Sequence, residues 1–400
     1  MKYILRNRVT SLIFIVNLSI FVLTSCDIFS DSVSPTEHER GKIIETELTA
    51  SLPSGFIDTL FTFAGELPDF LPQYDVTVYK LVYNTLDPQG NVVQASGAIF
   101  VPSINGSLPM ASIQHGTESM RSNVASVDPF HGYEGIIAAS LGYYAVMPDY
   151  LGMGVSQIMH PYHLEKPSAD CVIDIIRAGK TFAQDKGINL SGKIFLAGYS
   201  EGGYVTLAAQ KEIDVNYHDE IHLTAVSAMA GAYDLVNSST DVISKDEYNM
   251  PGYIAFLVTA YNEVYNWNRL GDFYNEPYAS KMPGLFDGSK TISEINLELT
   301  NNIYELFKSD FINRVSQGTE TELINALTEN SLLDWTPVTP LLLVHGNADE
   351  YVPYQNSVSA LEAFTNRGAE NVHLITIEGG THLTSVLPAI VATLNWFEQF

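Results

Sequence analysis

The chain predicts an α/β fold: a mostly parallel sheet of eight strands flanked by helices, with a mainly helical cap inserted after the sixth strand. Three observations lead there. An antiparallel hairpin pattern opens the folded part. Apolar strand-like runs then alternate with amphipathic helix-like stretches up to residue 231, and again from residue 340. Between them, from about 235 to 335, the alternation stops and the sequence becomes rich in Tyr, Phe and Asn.

Composition bounds the function. With 46% hydrophobic and 16% charged residues the chain is globular, and 400 residues suit one large α/β unit with an insertion. Twenty Lys and Arg against 46 Asp and Glu leave a formal charge of −26. Such a surface repels phosphate backbones, so no nucleic-acid partner is expected.

At the N-terminus, Lys2, Arg6 and Arg8 precede an apolar run from residue 12 to 23, and Leu23-Thr24-Ser25 leads to Cys26. A basic start and an apolar run too short for a comfortable membrane span read as a secretory signal peptide over 1–25. Small residues directly before a cysteine resemble the lipobox of bacterial lipoproteins. That resemblance implies lipidation of Cys26, a bacterial cell-envelope location, and the membrane as a partner through the N-terminal lipid. Residues 26–51 are polar and read as a tether with one short helix around 43–48, which leaves 52–400 as the folded domain. Cys171 then has no disulfide partner and reads as a small buried hydrophobe.

Residues 74–83 alternate and are rich in β-formers, and Asp87-Pro88-Gln89-Gly90-Asn91 turns the chain into 92–101, completing the hairpin. A short strand over 110–114 ends in His115-Gly116-Thr117-Glu118. A helix over 133–141 and a strand over 143–147 follow, then the loop Asp149-Tyr150-Leu151-Gly152-Met153-Gly154 and His160-Pro161-Tyr162-His163. No Cys or carboxylate cluster completes a metal site with the two histidines, and Pro161 interrupts any helix between them, so neither metal nor other cofactor is expected. A helix over 170–186 crosses to a strand over 193–199, a helix-forming stretch continues to 210, and 223–231 is the sixth strand. After the insertion come the seventh strand near 340–344, a helix over 356–365, the last strand over 372–377, and a closing helix over 385–397.

The chemistry is carried by Gly198-Tyr199-Ser200-Glu201-Gly202, which falls where strand passes into helix. Lifting Ser200 above the strand end requires a strained backbone, and side chains at 198 and 202 would crowd it. The N–H of Glu201, at the positive end of the helix, can face a developing oxyanion. The pentapeptide alone is a weak signal; the order of its partners strengthens it. Asp349 follows the seventh strand, with Glu350 as neighbouring contender, and His382 follows the last one in Glu378-Gly379-Gly380-Thr381-His382. Nucleophile Ser200, acid Asp349 and general base His382 thus each sit at a strand's carboxyl end, in the order of one known serine-hydrolase architecture.

Several segments together resemble the secretory lipase family of α/β-hydrolases: the Asp149-Tyr150-x-Gly152-x-Gly154 loop, His160-Pro161-Tyr162, Asp174 with Arg177-Ala178, His115-Gly116-Thr117, and the Gly-Tyr-Ser-x-Gly-Gly elbow. The resemblance runs from about residue 74 to the C-terminus, weakly across the insertion. It implies the α/β-hydrolase fold and a serine esterase or lipase working through an acyl-enzyme. It further implies a second oxyanion donor at the N–H of Thr117, with Gly116 letting the backbone approach, and a substrate pocket including His115, Gly116, Tyr150 and Tyr199. Glu118-Ser119 departs from the family pattern, where a glycine is expected soon after His-Gly-Thr. The substrate class stays open between acyl lipids and acylated or feruloylated carbohydrates. Two alternatives stand beside the esterase: an exopeptidase of the prolyl-oligopeptidase type, whose His-Gly-Gly-Pro loop this chain lacks, and a non-catalytic envelope lipoprotein that binds glycans or a partner.

Overall fold

A computed structural model of the chain describes residues 35–64 and 72–400. The signal peptide expected over 1–25, Cys26, and the first part of the expected tether lie outside the described residues. Among those residues nine strands form one sheet: β1 Ile43–Leu52, β2 Val76–Leu86, β3 Val92–Pro102, β4 Leu108–Gln114, β5 Tyr144–Pro148, β6 Leu190–Tyr199, β7 Ala225–Met229, β8 Leu341–Gly346 and β9 Val372–Ile377. Their order is β1-β2-β3-β5-β4-β6-β7-β8-β9. The first three pair antiparallel, as does β3 with β5, and every pairing from β5 to β9 is parallel.

The helices are α1 Pro35–Glu39, α2 Ser54–Ala64, α3 Tyr133–Ser140, α4 Glu165–Asp185 and α5 Glu201–Glu212, followed by the insertion. Successive side chains of a strand point to opposite faces, so β6 sends Ile194 and Leu196 to one core and Phe195 and Ala197 to the other. The first core packs under α4, α5 and the insertion. The second packs under α3 and the closing helix Val386–Phe397.

The N-terminal segment corrects the sequence reading. Instead of a tether with a short helix around 43–48, residues 43–52 form β1, paired antiparallel to β2. The sheet has nine strands rather than eight, and the compact unit begins at Pro35 rather than at residue 52. The physical reason is twofold. Ile43, Ile44, Thr46 and Thr49 are β-branched, while a six-residue helix is marginal alone; and β2 otherwise offers an open row of backbone donors and acceptors. Glu45 and Glu47 keep the new outer edge charged.

Arg40 anchors this segment. Its side chain is fully buried and donates from Nη2 to Asp170 Oδ1 at 2.7 Å, from Nε to Asp174 Oδ1 at 3.0 Å, and from Nη1 to Tyr217 Oη at 2.7 Å. Arg177 joins the cluster through Asp174 at 3.0 Å and through two 2.6 Å contacts to Glu220.

Between β7 and β8 the chain forms eight helices, beginning with α6 Leu235–Ile243 and α7 Pro251–Val264 and ending with Thr321–Glu329. Most of the aromatic residues of this stretch pack against one another: Phe256, Tyr261, Phe273, Tyr274 and Phe286 are buried. The parallel register aligns Gln114 with Gly198, Tyr199 with Met229, and Gly346 with Ile377. The loops after β4, β6, β8 and β9 therefore emerge side by side at the carboxyl edge, where open α/β sheets bind ligands.

Candidate active site

Ser200 has φ 61° and ψ −122°, a conformation that side-chain-bearing residues rarely adopt. It is held there by its N–H donating to Met229 O at 2.9 Å, and by Gly203 and Tyr204 N–H groups donating to Ser200 O. The space around it explains the glycines. A Cβ on Gly198 would overlap the carbonyl of Gly202, and one on Gly202 would overlap that of Gln114 in the neighbouring strand.

Three side chains from distant parts of the chain then fall in line. His382 Nε2 is 2.9 Å from Ser200 Oγ, and His382 Nδ1 is 2.6 Å from Asp349 Oδ2. A carboxylate only accepts, so Nδ1 carries the hydrogen and Nε2 is left to receive the serine proton. Asp349 Oδ1 accepts the N–H groups of Tyr351 and Val352, each at 2.9 Å. His345 Nε2, from the end of β8, stands 3.2 Å from Asp349 Oδ2. Burial would raise the Asp349 carboxyl, but hydrogen bonds from His345 and His382 and the nearby imidazole hold it well below the usual carboxylate range. Glu350 instead accepts the backbone N–H of His382 at 3.2 Å, so of the two neighbouring acids it is Asp349 that meets the imidazole.

Glu201 is the first residue of α5, and the N–H groups of a helix's first turn have no acceptor within the helix. Gly116 lies against the elbow: a Cβ there would be 3.6 Å from Tyr199 O and 3.8 Å from Ser200 Cβ. Thr117, the next residue, lines the same cavity as Ser200, and its Oγ1 meets Tyr162 Oη at 2.9 Å. Glu118, the departure from the family pattern, has a carboxyl that burial pushes up to about 7.

The cavity beside Ser200 has about 70 Å³ open to the centre of a water molecule. Leu235, Val242, Ile254 and Leu257 give it apolar walls, Ser238 and Ser239 add hydroxyls, and Tyr248, Tyr253 and Tyr351 stand between cap and core. None of the four residues expected in the pocket lines it: Gly116 stops short beside the elbow, and the three rings turn away. His115 turns its ring nitrogens to the carbonyls of Gly116 and Asp149, at 2.7 and 3.2 Å, and stacks on Tyr150. Tyr150 donates to His115 O at 3.0 Å, and Tyr199 donates to His382 O at 2.7 Å. These polar tips serve backbone carbonyls, so the rings form a supporting layer behind the site.

Other contributors went unread in the sequence. His345 supports Asp349 from four residues away, a spacing visible in the chain but meaningful only once the loop after β8 turns back. His160, weighed in the sequence as a metal ligand and as part of a family motif, meets the side chain of Glu201 at 2.6 Å with both groups buried. Tyr162 and His163 line the cavity itself.

A mostly parallel sheet in this order, with a serine at positive φ between strand and helix and a carboxylate and histidine delivered by the loops after β8 and β9, defines an α/β-hydrolase. The sequence profile of the secretory lipase family matches residues 136–400, and the chain belongs to that family. Lipase 10 of Candida albicans is 22% identical over 267 residues, covering 64% of this chain and 55% of that protein. The chain thus spans about half the length of the curated relatives it matches. Among solved structures, the rice cell wall degrading esterase LipA from Xanthomonas oryzae superposes with a TM-score of 0.82 at 26% identity, covering 89% of this chain and 98% of that one. Candida antarctica lipase A in its closed state shares the fold, with a TM-score of 0.70 at 17% identity over 90% of this chain and 82% of its own.

Proposed function

We propose that the protein is a serine hydrolase that cleaves carboxylic esters through an acyl-enzyme. The observation that carries this reading is the hydrogen-bonded line from Asp349 through His382 to Ser200, at 2.6 and 2.9 Å. In it, His382 Nε2 takes the Ser200 proton as Oγ bonds to the ester carbonyl carbon, and Asp349 stabilises the imidazolium that forms. The backbone N–H groups of Glu201 and Thr117 receive the oxyanion. The imidazolium then passes its proton to the leaving alcohol, and a water activated by the same histidine releases the acid.

The cavity's modest volume and the apolar side chains of Leu235, Val242, Ile254 and Leu257 support an acyl group of a few carbons. The Candida relatives are named lipases and the Xanthomonas protein a cell-wall-degrading esterase, so acyl lipids and acylated carbohydrates are the two ester classes to compare. Initial rates across p-nitrophenyl esters from acetyl to palmitoyl, with methyl ferulate alongside, test this reading. A maximum at short chains is expected, and Ser200→Ala should abolish turnover and labelling by a fluorophosphonate. Near-native activity in that variant would remove Ser200 from the mechanism.

We read Cys26 as the lipidated residue that holds the enzyme at a membrane of the bacterial envelope, on the strength of the preceding Leu23-Thr24-Ser25 and the basic, apolar start. Cys26→Ser should move the protein from the membrane fraction to the soluble one; unchanged fractionation would refute the anchor.

A further inference from the structure

Glu201 directly follows Ser200 and begins α5, and its side chain is only 1% exposed. An acid at a helix N-terminus is favoured by the dipole. Here, however, covalent geometry keeps the carboxyl carbon within about 5 Å of the residue's own backbone nitrogen, whose hydrogen faces the developing oxyanion. A bare carboxylate so close would oppose the negative charge that forms there, all the more because the surroundings are buried.

His160 removes that conflict. Its Nδ1 lies 2.7 Å from Leu151 O, a carbonyl that only accepts, so this nitrogen carries a hydrogen. Its Nε2 lies 2.6 Å from Glu201 Oε1. Two lone pairs cannot face each other at that separation, so one further proton sits between them and the pair as a whole is neutral. Burial would raise the Glu201 carboxyl, but the imidazole holds it below its ordinary value. His160 is itself firmly seated. Its ring stacks with Tyr150 and meets Phe256 of cap helix α7 edge-on, at centroid separations of 5.9 and 5.7 Å. A Cβ on Gly152 would come within 2.5 Å of its backbone, so the loop after β5 closes tightly on it. Replacing a buried ionic pair by apolar residues of similar volume is often neutral or stabilising, so stability alone does not account for this one.

We propose that His160 is a positioning residue for ester hydrolysis: it holds Glu201, whose N–H receives the oxyanion, and cancels the negative charge that would otherwise stand beside that oxyanion. The proposal rests on the reading of Ser200 as the nucleophile of an ester hydrolase. His160 does not line the cavity and acts through Glu201.

The test is kcat and KM for p-nitrophenyl butyrate from about pH 6 to 9 in three proteins: wild type, His160→Phe, and His160→Phe combined with Glu201→Gln. Phe keeps a ring in place but gives the Glu201 carboxyl no proton partner, so the carboxyl ionises alone as pH rises. At the alkaline end kcat should fall by about 100-fold and KM should change by less than about threefold, because the oxyanion feels the charge and the bound ester does not. Replacing the bare carboxyl by a neutral amide should recover at least about tenfold of that loss and remove the added pH dependence, which a purely structural role would not do.

The other ionisable groups around the carboxyl are the same in all three proteins. They are His115 and Glu118 after β4, Tyr150, Tyr162 and His163 after β5, Tyr204 on α5, and Tyr253 on α7. Differences between the variants therefore report Glu201. If His160→Phe yields no folded protein, His160→Gln takes its place in both variants, since its amide can donate to Glu201 but cannot add the neutralising proton. A single variant within about threefold of the wild-type kcat at every pH, or a double variant no faster than the single one, overturns the proposal while ester hydrolysis stands. Absence of hydrolysis by the wild type overturns the ester reading as well.

Discussion

Asp349 is shared by two imidazoles: His382 Nδ1 reaches its Oδ2 at 2.6 Å from the loop after β9, and His345 Nε2 reaches the same oxygen at 3.2 Å from the end of β8. His345 is itself held by Ser357 Oγ at 2.8 Å from Nδ1, while Val352 O stands 3.0 Å from Nε2. Carbonyl and carboxylate both accept, so Nε2 carries the hydrogen and the ring acts as a fixed donor. The carboxylate that orients His382 is thereby built into the strand that precedes it.

This relationship separates the two neighbouring acids. Asp349→Asn should lower kcat by about four orders of magnitude with little change in KM, because the amide no longer enforces the Nδ1–H tautomer. Glu350→Gln, which touches only the His382 backbone N–H, should cost less than about tenfold. His345→Phe should fall between them. Steady-state kinetics on one p-nitrophenyl ester reads all three, and equal losses at 349 and 350 would contradict the assignment.

The elbow predicts opposite effects on stability from two small changes. Ser200→Gly removes a side chain from a strained backbone and should stabilise the inactive protein by about 1 kcal/mol. Gly202→Ala places a methyl group into the carbonyl of Gln114 and should destabilise by about 3 kcal/mol or prevent folding. Urea unfolding of both variants against the wild type checks the signs.

The Arg40 cluster predicts that the N-terminal segment belongs to the folded unit energetically. Arg40→Met leaves the buried Asp170 and Asp174 without their shared cation and should cost about 3–5 kcal/mol. Limited proteolysis should then cut within residues 35–52 faster than in the wild type. An unchanged unfolding midpoint would show that the cluster contributes nothing net.

The contributions of Glu118 and Glu134 to stability should fall as pH rises through the weakly acidic range. Burial pushes the carboxyl groups of Glu118 and Glu134 up to about 7, from ordinary values near 4.5. Between those pH values the folded protein binds more protons at these sites than the unfolded chain does, so ionisation opposes folding. Within that window each group contributes a slope of at most about 1.4 kcal/mol per pH unit; the accumulated penalty is absent below the window and complete above it. Glu134→Gln should flatten the curve and exceed wild-type stability at pH 8, as urea midpoints from pH 4 to 8 would record.

The sequence by itself determined the strand and helix succession from residue 74 onward, the serine at a strand-to-helix corner, and the order of Ser200, Asp349 and His382. These are local signals: apolar period, turn residues and glycines without room for a Cβ act within a few residues of where they are read. Tertiary structure alone decided the rest. β1 forms because β2 presents an unpaired edge to a segment rich in β-branched residues; the residues are visible in the sequence, the open edge is not. Asp349 rather than Glu350 meets His382 because β8 and β9 run in parallel register from Leu341 and Val372 to Gly346 and Ile377. His115, Tyr150 and Tyr199 lie behind the cavity while Tyr162, His163 and Tyr253 line it, because each ring turns toward whichever acceptor or apolar wall the surrounding strands, loops and cap helices supply. Pairings across a hundred or more residues depend on how sheet and cap close on one another, and that closure is written in no single stretch of the chain.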